Sequence, residues 1–327
     1  MIDSDLDVAL QELAEVKTEL RARRKADQLT TRVEKTIASS LQERRPLFRP
    51  HLPRKGSGND SHEFVLLFSD LHAGEVVDAD GTNEAYSYDI MLSRLEALSE
   101  RLQSYAANRP YKVSKLHILS LGDMLSGEIH EELSTSNSLP LAEQAVQLSL
   151  DCAIWLRSLT SMFKEIVFSG VVGNHPRLVK MPAFRETHNN ADWLFYKLLE
   201  AHLKDDSRIT FDIPKTRTCV RDIMGHRIYL SHGDEVRGGV GGALKRFTKV
   251  QATSSAQGKP IDAFVLGHFH SRNLLAGPAG SIIVMNGSVK GSDAYASKTL
   301  GADDGPVQTL LTFHRKRGFT DLSSLNL

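Results

Sequence analysis

Apolar and polar positions along the 327-residue chain change rhythm near residue 46 and again near residue 62. Over residues 1–45 the apolar positions keep helical spacing: Leu6, Leu10, Leu13 and Leu20, then Leu29, Val33, Ile37 and Leu41 at intervals of four. Neither Pro nor Gly interrupts the run before Pro46, so the pattern predicts an amphipathic helical arm. Lys17, Arg24 and Asp27 fall where a heptad seam would continue, which argues against a long coiled coil. Residues 46–61 carry three prolines and two glycines among polar residues and read as a linker. From residue 62 onward, short apolar runs alternate with longer helical patterns. Strands are predicted at Phe64–Ser69, Leu116–Leu121, Ile166–Val172, Arg227–Ser231, Ala263–Leu266 and Ser281–Met285, and helices at about 87–107, 140–162 and 190–204. That alternation predicts a layered α/β catalytic domain over 62–327, without an internal repeat.

Composition adds little to this picture, but charge placement adds something. Hydrophobic residues make up 41%, charged residues 24%, and the formal net charge is +0, so global electrostatics favour neither nucleic acid nor membrane. The arm is polarised: six acidic residues oppose only Lys17 in the first twenty positions, whereas 21–55 hold eleven Lys/Arg against three Asp/Glu. Its expected role is packing on its own domain, on a second copy or on a partner protein, with nucleic-acid contact as the sharper reading. Apolar runs such as Phe64–Phe68 are far shorter than the roughly 20 residues a membrane span needs. Two cysteines, Cys152 and Cys219, and an acidic start without a signal-peptide pattern point to a reducing cytoplasm.

The chemistry lies just past the predicted strands. The first is followed by Asp70-Leu-His72, the second by Gly122-Asp123, the third by Gly173-Asn174-His175, the fourth by His232-Gly-Asp234 and the fifth by Gly267-His268-Phe-His270. A single Gly-Asp is ordinarily a turn, and a single buried His ordinarily satisfies a hydrogen bond. Five strand ends delivering such groups to one rim are a different matter, because carboxyl ends of α/β strands converge where ligands collect. Carboxylate, imidazole and amide groups without thiolate suit two divalent metal ions, Mn²⁺ foremost, with Fe or Zn²⁺ as alternatives.

In that order, Asp70-x-His72, Gly122-Asp123, Gly173-Asn174-His175, His232 and Gly267-His268-x-His270 resemble the calcineurin-like metallophosphoesterases over about residues 62–290. The stretches Ser69–Val77 and Asn190–Leu194 are most similar to phage-encoded phosphoesterases and exonucleases. The resemblance implies a metallophosphoesterase-type β-sandwich flanked by helices. It also implies that Asp70, His72 and His270 hold one metal, that Asn174, His232 and His268 complete a second, and that Asp123 bridges them. His175 would be the catalytic histidine, and a metal-bridging hydroxide the nucleophile. Pro176 stands where many members carry an acidic residue, which removes a partner expected to orient His175. Met124-Leu-Ser-Gly-Glu128 lacks the arginine that the protein-phosphatase branch has after its bridging aspartate.

The resemblance implies a phosphate-ester substrate, with DNA the leading expectation. The segment Glu235–Phe247 follows His232 with four glycines and the cations Arg237, Lys245 and Arg246. It reads equally as a phosphate cradle or as a mobile solvated loop. Arg177, Lys180 and Arg185 add positive charge after His175. Three readings follow: a phosphodiesterase or nuclease; a small-molecule phosphatase or cyclic-nucleotide phosphodiesterase; and a non-catalytic binding subunit.

Overall fold

The structure is a computed structural model and describes residues 17, 61–79, 84–129, 136–179, 187–291 and 304–327. The helical arm and most of the linker read from the sequence therefore lie outside the described residues, as do Lys180 and Arg185.

The described strands form two sheets. The first is ordered β11-β10-β1-β2-β3-β4, from β1 (His62–Phe68), β2 (Lys115–Ser120), β3 (Glu165–Gly170), β4 (Ile209–Asp212), β10 (Val307–His314) and β11 (Gly318–Asn326). The second is ordered β5-β6-β7-β9-β8, from β5 (Cys219–Ile223), β6 (His226–Ser231), β7 (Ala263–Leu266), β8 (Asn273–Ala276) and β9 (Ile282–Met285). Four helices are described: α1 (Tyr88–Ala107), α2 (Leu141–Leu159), α3 (Ala191–Leu203) and α4 (Gly239–Ala256).

β1 is apolar almost throughout because both of its faces are buried. Val65 and Leu67, with Leu119, Leu121 and Val171, pack between the sheets against Ile228, Leu230, Val265 and Val284. Phe64, Leu66 and Phe68 point the other way, into a core shared with α1, α2 and α3. On the far side of the second sheet, Ala243 and Phe247 of α4 pack on Tyr229, Phe264 and Ile283. The result is the expected sandwich of two sheets flanked by helices. The helices follow local rules: Ser87 caps α1 by accepting the Ile90 N–H at 3.3 Å, and Met91, Leu95, Leu98 and Leu102 form its buried stripe.

Several boundaries differ from the sequence reading. The third strand ends at Gly170, with Val171 and Val172 buried in the turn beyond it. The segment after His232 is neither a cradle loop nor a mobile loop from Gly239 onward, but helix α4. Its apolar period (Ala243, Phe247, Val250) begins only after the glycines at its start, which mask it. Among the described residues, no helix is long and apolar enough to cross a membrane.

What positions the site is direction. β1, β2 and β3 run parallel in one sheet, and β6, β7 and β9 run parallel in the other. Their carboxyl ends meet at one rim of the sandwich.

Candidate metal centre

Two groups of ligand atoms converge at that rim: Asp70, His72 and His270, and Asp123, His232 and His268. Each group draws on both sheets. Asp70 and His72 follow β1 and Asp123 follows β2, whereas His232 follows β6, and His268 and His270 follow β7. The seventh predicted ligand, Asn174 after β3, joins the second group, its Oδ1 lying 3.0 Å from His232 Nε2. Asp70, His72, Asp123, His232 and His270 are all buried.

The backbone here is unusual. Asp70, His72, Asp123, His268 and His270 have φ between 48° and 70°. A left-handed non-glycine residue costs about 1–2 kcal/mol, so five in one place mark strain that the surrounding packing offsets. Tight turns explain part of it. At Gly122 an added Cβ would lie 2.4 Å from the Gly173 nitrogen, and at Gly173 it would lie 2.0 Å from Asp123 Oδ1. The Gly-Asp and Gly-Asn turns thus approach each other more closely than any side chain allows.

Hydrogen bonds decide which way the imidazoles face. His232 Nδ1 lies 2.7 Å from the Leu121 carbonyl and donates its proton there. Its Nε2 then faces Asp123 Oδ2 at 3.1 Å and Asn174 Oδ1 at 3.0 Å. In the first group, His72 Nε2 and His270 Nε2 face each other at 3.2 Å, and Asp70 Oδ1 lies 3.4 Å from His270 Nε2. Both outer Nδ1 atoms are buried without a hydrogen bond. Ring nitrogens and carboxylate oxygens turned toward one another in a buried pocket suit a cation, and imidazole with carboxylate and amide oxygen is a fitting donor set for a divalent metal. The residues fit the two ions.

Electrostatics carry the same imprint. Burial alone would keep His232 neutral, but the Asp123 carboxylate overrides it and holds the imidazole at about 10. Its neighbour His268 goes the other way, to about 4, through burial and the charge on His232. Burial opposes ionisation of Asp123, yet His232 and then His175 pull it well below the usual carboxylate range. Burial, followed by the charge on His175, drives His72 well below the usual histidine value.

His175 sits beside both groups. Its N–H donates to Asp123 Oδ1 at 2.8 Å, and its ring stands edge-on to His72 with centroids 4.6 Å apart. Its Nδ1 lies 3.3 Å from the Ser126 carbonyl, so a backbone oxygen occupies the place that Pro176 cannot fill with a side chain. Among the predicted substrate contacts, Arg177 is half-buried and donates to the Asn174 carbonyl at 3.0 Å. Arg246 lies 3.3 Å from Glu235, and Arg237 and Lys245 are exposed.

The sequence did not single out Asp192 as part of the site. It is buried at the start of α3; its Oδ2 accepts the N–H groups of Asp123 (3.0 Å) and Gly173 (2.9 Å), and its Oδ1 that of Met124 (3.1 Å). One carboxylate thereby ties together two ligand-bearing turns, and burial together with the nearby Asp123 charge raises it to about 7. The Asn190–Leu194 stretch contains it, which was the available signal. Asn190 adds a bond from its amide to the Gly173 carbonyl at 2.8 Å.

No protein-family model matches the chain, and no curated protein matches it. Solved structures resembling it include a conserved uncharacterized protein from Streptococcus pneumoniae titled a predicted phosphoesterase (10% identity, 80% of this chain and 97% of that one, TM-score 0.32). Others are Vps29 complexed with zinc from Entamoeba histolytica (14%, 80% and 99%, 0.31) and a 5'-nucleotidase from Candida albicans (12%, 84% and 53%, 0.37). Likeness at this level carries no weight in assigning a function, which rests on the chain's own residues.

Proposed function

We propose that the chain is a two-metal hydrolase of phosphate esters, acting on phosphodiesters and on DNA in particular. The observation that carries the reading is the pair of ligand groups built across both sheets, with imidazole lone pairs and carboxylate oxygens turned inward around Asp123. Asp70, His72 and His270 would hold one ion, Asn174, His232 and His268 the other, and Asp123 would reach both. When bound, two divalent cations, Mn²⁺ foremost, neutralise phosphate charge and supply a water whose pKa falls from about 15.7 toward 7. His175, held by Asp123 Oδ1 and the Ser126 carbonyl, delivers a proton to the leaving oxygen as general acid.

Support for a polyanionic substrate comes from Arg177 beside Asn174 and from α4, which carries Lys245, Arg246 and Lys249 and no acidic residue. One observation favours a second reading, a small phosphate ester. Glu235 engages Arg246 and so removes one cation from any backbone track. The test is hydrolysis by Mn²⁺-loaded protein of single- and double-stranded DNA, a bis-aryl phosphate and a mono-aryl phosphate. Cleavage of DNA and of the diester is expected. Activity on the monoester alone overturns the nuclease assignment, and no hydrolysis despite two bound ions returns the chain to a binding role.

A further inference from the structure

We propose that Glu75, anchored by Lys290, is a positioning residue that sets the tautomer and direction of His72; the inference rests on the metal-binding reading above. Glu75 and Lys290 form a buried ion pair, Nζ to Oε1 at 2.5 Å, with both side chains less than a tenth exposed. A charged pair in the interior is costly to desolvate, so its place three residues after a ligand requires a reason. The unused oxygen supplies one. Glu75 Oε2 is buried without a hydrogen bond and lies 3.6 Å from His72 Nδ1, itself buried without one.

Both partners are fixed from behind. The Glu75 N–H donates to the His72 carbonyl at 3.0 Å, closing a turn that brings the two side chains together. The Lys290 N–H donates to Ser288 Oγ at 3.0 Å, and Ser288 Oγ donates to the Asp70 carbonyl at 2.8 Å. Arg94 donates to the carbonyls of Val289 and Lys290 at 2.9 and 2.7 Å. Lys290 is therefore tied to the Asp70 turn, and through it Glu75 is aimed at the outer nitrogen of His72. A proton held on Nδ1 by that carboxylate leaves the Nε2 lone pair facing His270 and the ion. In the second group the Leu121 carbonyl does the same for His232. A carboxylate in this place also raises the basicity of the ligand, which a carbonyl does less.

Equilibrium binding of Mn²⁺ by calorimetry to the full chain, wild type against Glu75→Ala and Glu75→Gln, tests this. Wild type is expected to take two ions. Glu75→Ala should weaken one of them by about 10–100-fold and leave the other unchanged. Glu75→Gln, which keeps an acceptor oxygen without the charge, should recover part of the loss. Unchanged affinity for both ions in either variant overturns the proposal. So does equal weakening of both ions together with a matching fall in metal-free melting temperature, the signature of a packing role. If Glu75→Ala does not fold, Glu75→Gln alone decides, by whether one ion is selectively weakened. A wild-type chain that takes no Mn²⁺ overturns the metal reading itself, and is told apart from the other outcomes before any variant is measured.

Discussion

Histidines gather at the amino end of the first sheet's strands and at the rim where carboxyl ends of both sheets meet, and the two places differ in kind. At the amino end of β1 and β2, each described ring has found a partner. His62 Nδ1 lies 2.8 Å from Ser61 Oγ with its ring stacked 3.7 Å from Tyr111, and His117 Nε2 lies 2.7 Å from Glu63. His314 Nδ1 accepts the N–H groups of Lys316 and Arg317 at 3.1 and 3.2 Å. None of the three has a left-handed backbone. At the shared rim, His72, His268 and His270 are left-handed, and His72 Nε2 and His270 Nε2 face each other at 3.2 Å. A cluster of histidines is thus no sign of a metal. Buried imidazole and carboxylate groups from distant segments turned toward one another are the better guide.

The sharpest way to break this comparison is to alter the residue between the two ligand groups. Asp123→Asn should lower hydrolysis by roughly a thousandfold or more, since metal charge at the phosphate supplies several kcal/mol. Circular dichroism should show the fold intact; a fully active variant would refute the role given to Asp123.

A second prediction concerns pH. The folded metal-free protein holds His232 at about 10, above the ordinary value of 6.5. Because the folded value is raised, the stability from this proton is complete below pH 6.5 and is lost as pH rises through 10. A metal ion must displace that proton, so Mn²⁺ affinity should climb about tenfold per pH unit across the same interval. His268, already neutral above about 4, should contribute nothing there. A flat affinity profile between pH 7 and 9 would contradict the assignment.

The smallest effect is expected at the other end. His117→Gln should cost about 1 kcal/mol in urea denaturation, as the loss of one partly buried pair. It should leave Mn²⁺ binding untouched. Loss of metal there would erase the distinction between the two ends.

The interior of the fold was legible in the sequence and its margins were not. The strands found from apolar runs are β1, β2, β3, β6, β7 and β9, all with neighbours on both sides. Four of the five missed strands, β4, β5, β8 and β11, are the sheet edges, where half the residues face water and short runs such as Asn273–Ala276 lack an apolar signature. The fifth, β10, is buried, but Gln308, Thr309 and Thr312 break its apolar run. The ligand-bearing turns were readable because each follows an apolar strand. Their supports were not, for two reasons. The carbonyls of Leu121 and Ser126 act as backbone and leave no trace in residue type, and Asp192, Glu75 and Lys290 gain meaning only from the chain segments that meet them.

Each ligand group also spans the chain, since His72 and His270 are 198 positions apart. Neither group exists until the second sheet has docked on the first, so each depends on contacts between segments distant in sequence. A polypeptide emerging from the ribosome lacks the last member of each set until residues 268 and 270 are made. Ions bound by these groups would act as rivets between the sheets, resisting their separation by an amount that grows with the logarithm of metal concentration. In this architecture, a complete set of ligand atoms requires both sheets to be in place.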